Sequence, residues 1–144
     1  MSDTTDPIAT ESGAAEVAPP SPTVERAHRL AQAALDRKAE DVVVLDVRGL
    51  TSFADAFVLA TGTSDRHVAS VAEAVIQASK REGEVPLGVE GQDEGRWVLI
   101  DGNDVIVHVF QADVREHYDL DRLWEDAKRT EVRAPEDAAA AAGE

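Results

Sequence analysis

The clearest pattern along the chain is a pair of apolar runs joined by four polar residues, which together read WVLIDGNDVIVHVF at 97–110. Val, Leu and Ile dominate both runs, as is typical of paired β-strands. The pair Gly102–Asn103 at the bend suits a tight two-residue turn, because glycine readily takes the positive φ that such a turn needs. The spacing therefore predicts a β-hairpin in which Trp97 faces His108.

Alternation along this hairpin sorts its side chains onto two faces. One face is aliphatic throughout and is predicted to be core: Val98, Ile100, Val105, Val107 and Val109. The other face is apolar and aromatic and carries Trp97, Leu99, Ile106, His108 and Phe110, with Asp101 and Asp104 beside them. We expect the functional surface on this second face.

Apolar residues at helical spacing predict three helices and one short helical turn. The first helix is predicted over 22–39, with Ser21 as its cap. A second helix is capped within Ser64–Asp65 and runs to about residue 81. After the hairpin, 114–118 is predicted as a helical turn and Asp119 as the cap of a last helix. That helix carries an apolar stripe of Leu120, Leu123, Trp124 and Ala127.

Two β-branched or apolar runs predict strands at 42–47 and 56–61, close enough in sequence to pair antiparallel. A weaker run at 85–89 predicts an edge or irregular strand, because Pro86 and Gly88 interrupt it. Together with the hairpin, these elements follow the order α-β-β-α-β-β-β-α. That order predicts an α/β fold in which helices pack on a mixed five-stranded sheet.

Length and charge predict one acidic domain between two tails. The 144 residues suffice for a single hydrophobic core and carry a formal net charge of −15. Residues 1–21 hold four acidic side chains and no basic one, and we expect them to form a disordered tail. Residues 130–144 form a second acidic, Ala-rich tail, which is expected to be disordered or frayed. The predicted domain, 22–129, is therefore acidic in its own right.

Composition excludes several classes of function. An acidic body argues against binding a nucleic-acid backbone, since that affinity comes largely from Lys and Arg, and it favours a basic protein partner. The absence of cysteine excludes disulfides, a thiol nucleophile and a zinc–thiolate site. No signal-peptide pattern and no apolar run of membrane-spanning length are present, so we expect a cytoplasmic protein with no membrane partner.

Candidate catalytic and metal-binding groups are sparse. Asp101 and Asp104 could pair around a metal ion, but solvation of a tight turn is the favoured interpretation, because no other segment supplies converging oxygens. The segment Gly62–Asp65 could cradle a phosphate at a helix N-terminus, although helix capping is favoured there. The four histidines lie on different elements without metal-ligand spacing, and no catalytic constellation is predicted.

The sequence leaves two interpretations of Trp97 open. It is either a core aromatic beneath a helix or the anchor of an interface, where Trp and Tyr are common hot spots. The opposite hairpin face already supplies a dense aliphatic core, and this argues for the interpretation of Trp97 as an interface anchor. Arg115 and Tyr118 lie just beyond the hairpin and could extend that surface, whereas Trp124 is predicted to be core.

Three separated motifs give the chain a specific resemblance. FADAFVLATGTSDRHV at 53–68, PLGVEG at 86–91 and WVLIDGNDVIVHVFQADVREHYDLDRLW at 97–124 resemble the ribosomal silencing factor family, also called the Iojap-related family. The resemblance covers roughly residues 22–126 and implies an α/β sheet related to nucleotidyltransferases. Those enzymes pair a Gly-Ser turn with two acidic residues on a later strand. Here Gly62–Ser64 resembles the turn, but 85–89 has no Asp-x-Asp pair, so the resemblance implies no enzymatic activity and no cofactor.

The resemblance implies binding to the large ribosomal subunit through its fourteenth protein, a basic protein at the face where the small subunit joins. Such binding would block subunit joining and lower translation under nutrient limitation. We expect the docking patch to comprise Trp97, Leu99, Ile106, His108 and Phe110, with Asp101, Asp104, Arg115 and Tyr118 around it. We also expect the free protein to form a homodimer. The alternative is a residual nucleotide-binding protein that uses Gly62–Asp65 with Asp101 and Asp104.

Overall fold

In the computed structural model of the protein, residues 21–133 are described and fold around one mixed β-sheet. The helices are α1 (Pro22–Asp36), α2 (Asp65–Arg81), α3 (Ala112–Tyr118) and α4 (Leu120–Leu123). The strands are β1 (Glu40–Asp46), β2 (Ala56–Gly62), β3 (Gly88–Glu90), β4 (Trp97–Asp101), β5 (Val105–Gln111) and β6 (Lys128–Glu131). The tails predicted at 1–21 and 130–144 lie almost wholly outside the described residues.

The strands lie in the order β3-β4-β5-β2-β1-β6. The central strands β2 and β5 are parallel, and every other neighbouring pair is antiparallel. A parallel pair needs a crossover connection, and α2 lies within the segment that supplies it. The predicted α/β class and the antiparallel pairing of the first two strands are confirmed, and β3 is an edge strand as predicted.

Both long helices pack on the same face of the sheet. Ser21 Oγ accepts hydrogen bonds from the backbone N–H groups of Thr23 and Val24, and so caps α1 as predicted. The apolar stripes of α1 and α2 bury themselves against the sheet in one large core. The hairpin face predicted as core is part of it: Val98, Ile100, Val105, Val107 and Val109.

On the opposite side of the sheet, which we call the open face, residues 21–133 place no long helix. A smaller core lies there, formed by Val43, Leu45, Val47, Ala54, Phe57, Leu59, Phe110, Val114 and Ala127. Within the described part of the chain, the short helices α3 and α4 and the loop at 47–55 cover it. The second hairpin face therefore belongs to a surface that the fold covers only in part.

Two predictions for the C-terminal part of the domain are wrong. The sheet has six strands and not five, because β6 pairs antiparallel with β1 from Lys128 opposite Asp46 to Glu131 opposite Val43. The strand is polar and mostly exposed, so no apolar alternation reveals it in the sequence. The last helix ends at Leu123, and Asp119 has a φ of +52° with no capping side-chain hydrogen bond.

The predicted hairpin register is also wrong, by two residues. Trp97 pairs with Phe110 and not with His108, and the turn lies at Asn103–Asp104, since Gly102 N–H donates to the carbonyl of Val105. Asn103 takes the positive φ of +75° that was expected at Gly102. A shift of two residues preserves side-chain alternation, so the two faces hold the predicted residues.

Candidate docking surface

Seven rings that contact one another in turn lie on the open face, and we call them the aromatic strip. Its members are Phe53, Phe57, Trp97, His108, Phe110, Tyr118 and Trp124. The centroids of neighbouring rings lie 4.7 to 6.3 Å apart, within the range of favourable aromatic contacts. The strip begins at Tyr118, crosses the middle of the sheet and ends at Phe53.

Trp97 is half-buried at the start of β4, and several neighbours fix its position. Its indole Nε1–H donates to Nδ1 of His108 at 3.1 Å, and the Tyr118 ring centroid lies 4.7 Å from its own. Gly91, with a φ of +81°, lies so close that a Cβ there would meet the Trp97 carbonyl oxygen at 2.0 Å. Trp97 thus packs against the open-face core and still keeps solvent-accessible surface, as an interface anchor must.

His108 forms part of the floor of the aromatic strip. Its side chain is buried, and burial lowers its pKa from 6.5 to about 4, so the ring is neutral at pH 7. Because Nδ1 accepts from the Trp97 indole, the proton of the neutral ring sits on Nε2. Protonation would turn Nδ1 into a donor and break the bond that holds the indole.

The residues predicted as the docking patch differ in exposure. Trp97, Leu99 and Ile106 are half-buried and can touch a partner. His108 and Phe110 are buried beneath neighbouring rings, and Arg115 of α3 also lies over Phe110, so the two side chains support the surface from below. In this conformation the two side chains are out of a partner's reach, and their part in docking stays a prediction.

The two acidic residues at the rim lie at the turn end of the hairpin. Asp101 is half-buried at the end of β4, and its Oδ1 accepts from the backbone N–H of Asn103 at 2.9 Å. Asp104 is exposed in the turn itself. Both positions fit the interpretation as solvated turn residues. Asp101 lies opposite the half-buried Ile106 in the hairpin, and Asp104 precedes Ile106 by two residues in the chain.

Arg115 does not belong to the accessible rim, contrary to expectation. Its guanidinium is buried and donates to the carbonyl of Asp41 at 2.6 Å, to Thr61 Oγ1 at 2.8 Å and to both carboxylate oxygens of Asp121. It also lies over the Phe110 ring, 5.6 Å from the centroid. Arg115 is a structural residue that joins α3 to the ends of β1 and β2.

The structure adds exposed apolar residues that the sequence analysis missed. Phe53 and Leu123 are 61% and 68% exposed, and Leu50 lies nearby in chain order and is also exposed. Together with Tyr118, which is 55% exposed, they extend the apolar surface beyond the hairpin. The sequence did offer a signal at Phe53. A large aromatic residue in a polar turn segment gains nothing from the turn itself, which suggests a role in contacts with other parts of the protein or with a partner.

The glycine turn after β2 is occupied by local hydrogen bonds. Ser64 Oγ accepts from the His67 N–H at 3.0 Å, which confirms helix capping. His67 Nδ1 in turn accepts from the Thr63 N–H at 2.9 Å, and its Nε2 donates to the Arg37 carbonyl at 2.7 Å. A Cβ at Gly62 would meet the Val68 side chain at 2.6 Å, so packing explains the glycine.

The alternative nucleotide site is not assembled. Gly62 ends β2, whereas the carbonyl of Asp104 accepts from the N–H of Ala56 at the other end of that strand. A seven-residue strand spans about 20 Å, so the turn and the acidic pair face opposite ends of the sheet. Within residues 21–133 there is also no group of three or more His, Cys, Asp or Glu side chains able to hold a metal ion.

Comparisons with known proteins identify relatives of this chain. A family model described as "Ribosomal silencing factor during starvation" matches residues 20–144. Ribosomal silencing factor RsfS of Bacillus subtilis is 42% identical over 92 residues, which is 64% of this chain and 78% of that protein. A mouse protein named "Mitochondrial assembly of ribosomal large subunit protein 1" is 28% identical over 89 residues, 60% of this chain and 39% of that protein. A crystal structure of a Chromobacterium violaceum protein aligns with a TM-score of 0.71 and 36% identity, covering 80% of this chain and 97% of that chain.

The family model spans the whole of the described domain, and all seven rings of the aromatic strip lie within the motifs at 53–68 and 97–124 that carry the resemblance. The relatives also extend the match from sequence to fold. The chain therefore belongs to the ribosomal silencing factor family, which includes the Iojap-related proteins.

Proposed function

We propose that this protein represses translation as a steric block under nutrient limitation. It binds the large ribosomal subunit through the fourteenth protein of that subunit, on the face where the small subunit joins. The observation that carries the proposal is the aromatic strip on the sheet face that α1 and α2 leave open. The family membership supplies the ribosome as the setting.

The exposed part of the strip has the composition of an interface centre. Trp97, Leu99, Ile106, Tyr118 and Phe53 together offer aromatic and aliphatic surface on one side of the sheet. Exposed apolar patches of this kind mark protein interaction sites, and Trp and Tyr dominate the residues whose truncation weakens such contacts. The buried His108 and Phe110 keep these side chains in place.

The charge around the strip favours a basic partner. The described residues 21–133 carry a net charge of −8, and the segment 112–127 beside the strip holds six acidic residues and two arginines. Complementary charge at an interface rim speeds encounter and rejects partners of like charge. A basic ribosomal protein meets this requirement, whereas bare RNA does not.

The family description and the name of the mouse relative both mention the ribosome, and that name specifies the large subunit. These names support a target on that subunit for this chain as well. Binding of this kind needs no turnover and no cofactor. A cytoplasmic location is part of the proposal. Within residues 21–133 no helix is long and apolar enough to cross a membrane. The kinship of the fold to nucleotidyltransferases stays a prediction.

We call the exposed side of the aromatic strip, together with Leu50, Leu99, Ile106 and Leu123, the docking surface, and we propose that it also mediates self-association. Apolar surface that is open in the free protein tends to be covered, and a second copy of this chain offers the same surface for a symmetric contact. The free protein would then be a homodimer that competes with the ribosome for one face. A monomer at every concentration in analytical sedimentation would exclude this part of the proposal.

Binding to purified large ribosomal subunits tests the proposal through the Trp97→Ala and Tyr118→Ala variants. Truncation of an interface Trp commonly costs about 2 kcal/mol or more, which is a weakening of roughly 30-fold. We therefore expect the Trp97→Ala variant to lose co-sedimentation with large subunits and to stop inhibiting subunit joining, as measured by light scattering.

The matched control is Val85→Ala, because Val85 is 69% exposed but lies in the loop after α2, away from the strip. Circular dichroism shows whether each variant is folded, and Tyr118→Ala guards against a folding defect caused by losing the Trp97–His108 bond. If folded Trp97→Ala and Tyr118→Ala variants bind large subunits as well as the wild type does, the docking surface lies elsewhere.

A further inference from the structure

The segment 112–127, which we call the cap, contributes two of the exposed side chains of the docking surface, Tyr118 and Leu123. Its helices α3 and α4 have seven and four residues, far fewer than an isolated helix needs for stability. The conformation of the cap therefore depends on tertiary contacts. Whatever fixes the cap also fixes the position of Tyr118 relative to Trp97.

Asp121 lies at the centre of those contacts. Its carboxylate accepts from Arg115 Nε at 3.0 Å and Nη2 at 2.9 Å, and from Arg129 Nη1 at 2.8 Å. These bonds join α4 to α3 and to β6. Arg115 is anchored in turn on the Asp41 carbonyl and on Thr61 Oγ1, so the network ends on the sheet itself.

The surroundings make this ion pair stronger than a typical surface pair. The side chains of Arg115 and Asp121 are only 10% and 26% exposed, and a two-pronged Arg–carboxylate contact fixes direction as well as distance. Hydrogen bonding from Arg115, with a further contribution from Arg129, holds the pKa of Asp121 far below its usual range. The carboxylate is therefore ionised at neutral pH.

The backbone shows why the angle between the two cap helices needs such a tie. Asp119 separates α3 from α4 and has a φ of +52°, a conformation that costs an L-residue energy and persists only where its surroundings enforce it. Tyr118 directly precedes this junction, and Asp121 follows it by two residues. Arg129 lies opposite Leu45 in the sheet, and the Leu45 side chain belongs to the open-face core. The Arg129 side chain therefore lies on the open face, where it reaches Asp121.

We propose that Asp121 is a positioning residue of the docking surface. By joining Arg115 of α3 to Arg129 of β6, it sets the angle at the α3–α4 junction and holds the Tyr118 ring against Trp97. The inference rests on the proposed function only for its consequence for ribosome binding. Its geometric part concerns the free protein alone.

The free protein tests the geometric part through the indole N–H signals in nuclear magnetic resonance. The chain has two tryptophans, so it gives two such signals, and Trp97→Phe identifies one of them. We expect Asp121→Asn and Arg129→Ala each to move the Trp97 signal towards its position in Tyr118→Ala, because the Tyr118 ring leaves the indole. The control is Arg122→Ala, an exposed arginine on α4, which should leave the signal in place. An unmoved Trp97 signal in folded Asp121→Asn and Arg129→Ala overturns the proposal.

A double-mutant cycle tests the consequence for binding to purified large ribosomal subunits. Asp121→Asn should weaken binding about three- to tenfold in the wild-type background and have no further effect in Tyr118→Ala, because both changes remove the same contact. Additive losses would overturn the positioning role. If the wild-type protein fails to bind large subunits at all, the proposed function fails, and the indole signals still decide the role of Asp121.

Discussion

At the residue scale, the hydrogen bond between Trp97 and His108 connects the solvent-facing part of the docking surface to its buried floor. The bond requires a neutral imidazole, and burial supplies one by disfavouring the charged form. Because the same ring also contacts Phe57 and Phe110, its charge state affects the whole strip. His108 therefore couples the pH to the stability of the surface.

The stability of the domain should fall as the pH drops from about 6.5 towards 4. In this range the unfolded chain binds a proton at His108 and the folded chain does not, so protons favour unfolding. The stabilisation by the neutral ring is fully present above pH 6.5, and lowering the pKa to about 4 makes its loss worth about 3 kcal/mol.

Urea unfolding of the wild type and of His108→Asn at a series of pH values measures this effect. Asparagine can accept from the indole in place of Nδ1 but does not titrate, so the variant should lose about 3 kcal/mol less than the wild type between pH 7 and pH 4. Parallel pH profiles for the two proteins would show that His108 is not the titrating group.

The structural role of Arg115 could not be predicted from the sequence. Its position next to the hairpin suggested a rim residue, but its partners Asp41 and Thr61 lie 74 and 54 residues away in the chain. Only the tertiary fold brings those oxygens to its guanidinium. Trp97, by contrast, could be singled out from the sequence, because its indole alternates onto the hairpin face opposite a dense aliphatic core.

At the element scale, local patterns predicted the long elements that bury apolar side chains and missed the polar strand β6. The helices α1 and α2 and the strands β1, β2, β4 and β5 all carry apolar periodicity, and all are found. Strand β6 reads KRTE and contributes mainly backbone hydrogen bonds to the sheet edge, so nothing in its side chains indicates a strand. The short helix α4 ends early because the chain must turn into that strand.

The hairpin shows the same limit in its register. Alternation has a period of two, so a pattern of apolar residues determines which face each side chain takes but allows the pairing to slip by two residues. The turn decides between such registers. Here Gly102 N–H bonds to the Val105 carbonyl and Arg26 packs against Gly102, which places the positive φ on Asn103.

Substitutions in the turn should reveal this register. At a φ of +75°, asparagine is tolerated because its short polar side chain can form local hydrogen bonds, and alanine lacks that capacity. Asn103→Ala should therefore cost about 1 kcal/mol of unfolding free energy. Asn103→Gly should be neutral or slightly stabilising. Gly102→Ala should destabilise as well, because its Cβ would meet the Val105 carbonyl oxygen at 2.8 Å. Urea denaturation measures all three. Tolerance of Asn103→Ala would contradict the position of the turn.

At the scale of the whole molecule, the sheet is covered unequally by the described residues, with two long helices on one side and the small cap on the other. The hairpin sequence predicted two apolar faces but could not tell which of them the helices would cover, because that depends on the crossover from β2 through α2 to β5. The crossover puts α2 beside α1, and the open face is left to α3 and α4. Exposure of Trp97 follows from this arrangement.

The net charge of the molecule adds a long-range effect to this shape. If the proposed partner is the basic fourteenth protein of the large subunit, an acidic body beside an apolar docking surface should attract it before contact is made, and screening by salt should weaken that attraction. We expect the association rate with the isolated fourteenth protein to fall roughly tenfold between about 0.05 and 0.3 M salt, while the dissociation rate changes little. The isolated protein is the right partner here, because ribosomal RNA would repel an acidic chain.

Stopped-flow kinetics of charge-reversal variants can locate the source of the attraction. Glu116 is exposed on α3 beside the aromatic strip, and Asp36 is exposed at the end of α1 on the opposite side of the sheet. Both Glu116→Lys and Asp36→Lys change the net charge by the same amount, but only Glu116→Lys alters the field at the docking surface. We therefore expect a larger drop in association rate for Glu116→Lys, with the difference vanishing at high salt. Equal drops would mean that total charge governs the encounter, and a salt-independent difference would mean that Glu116 makes a direct contact instead.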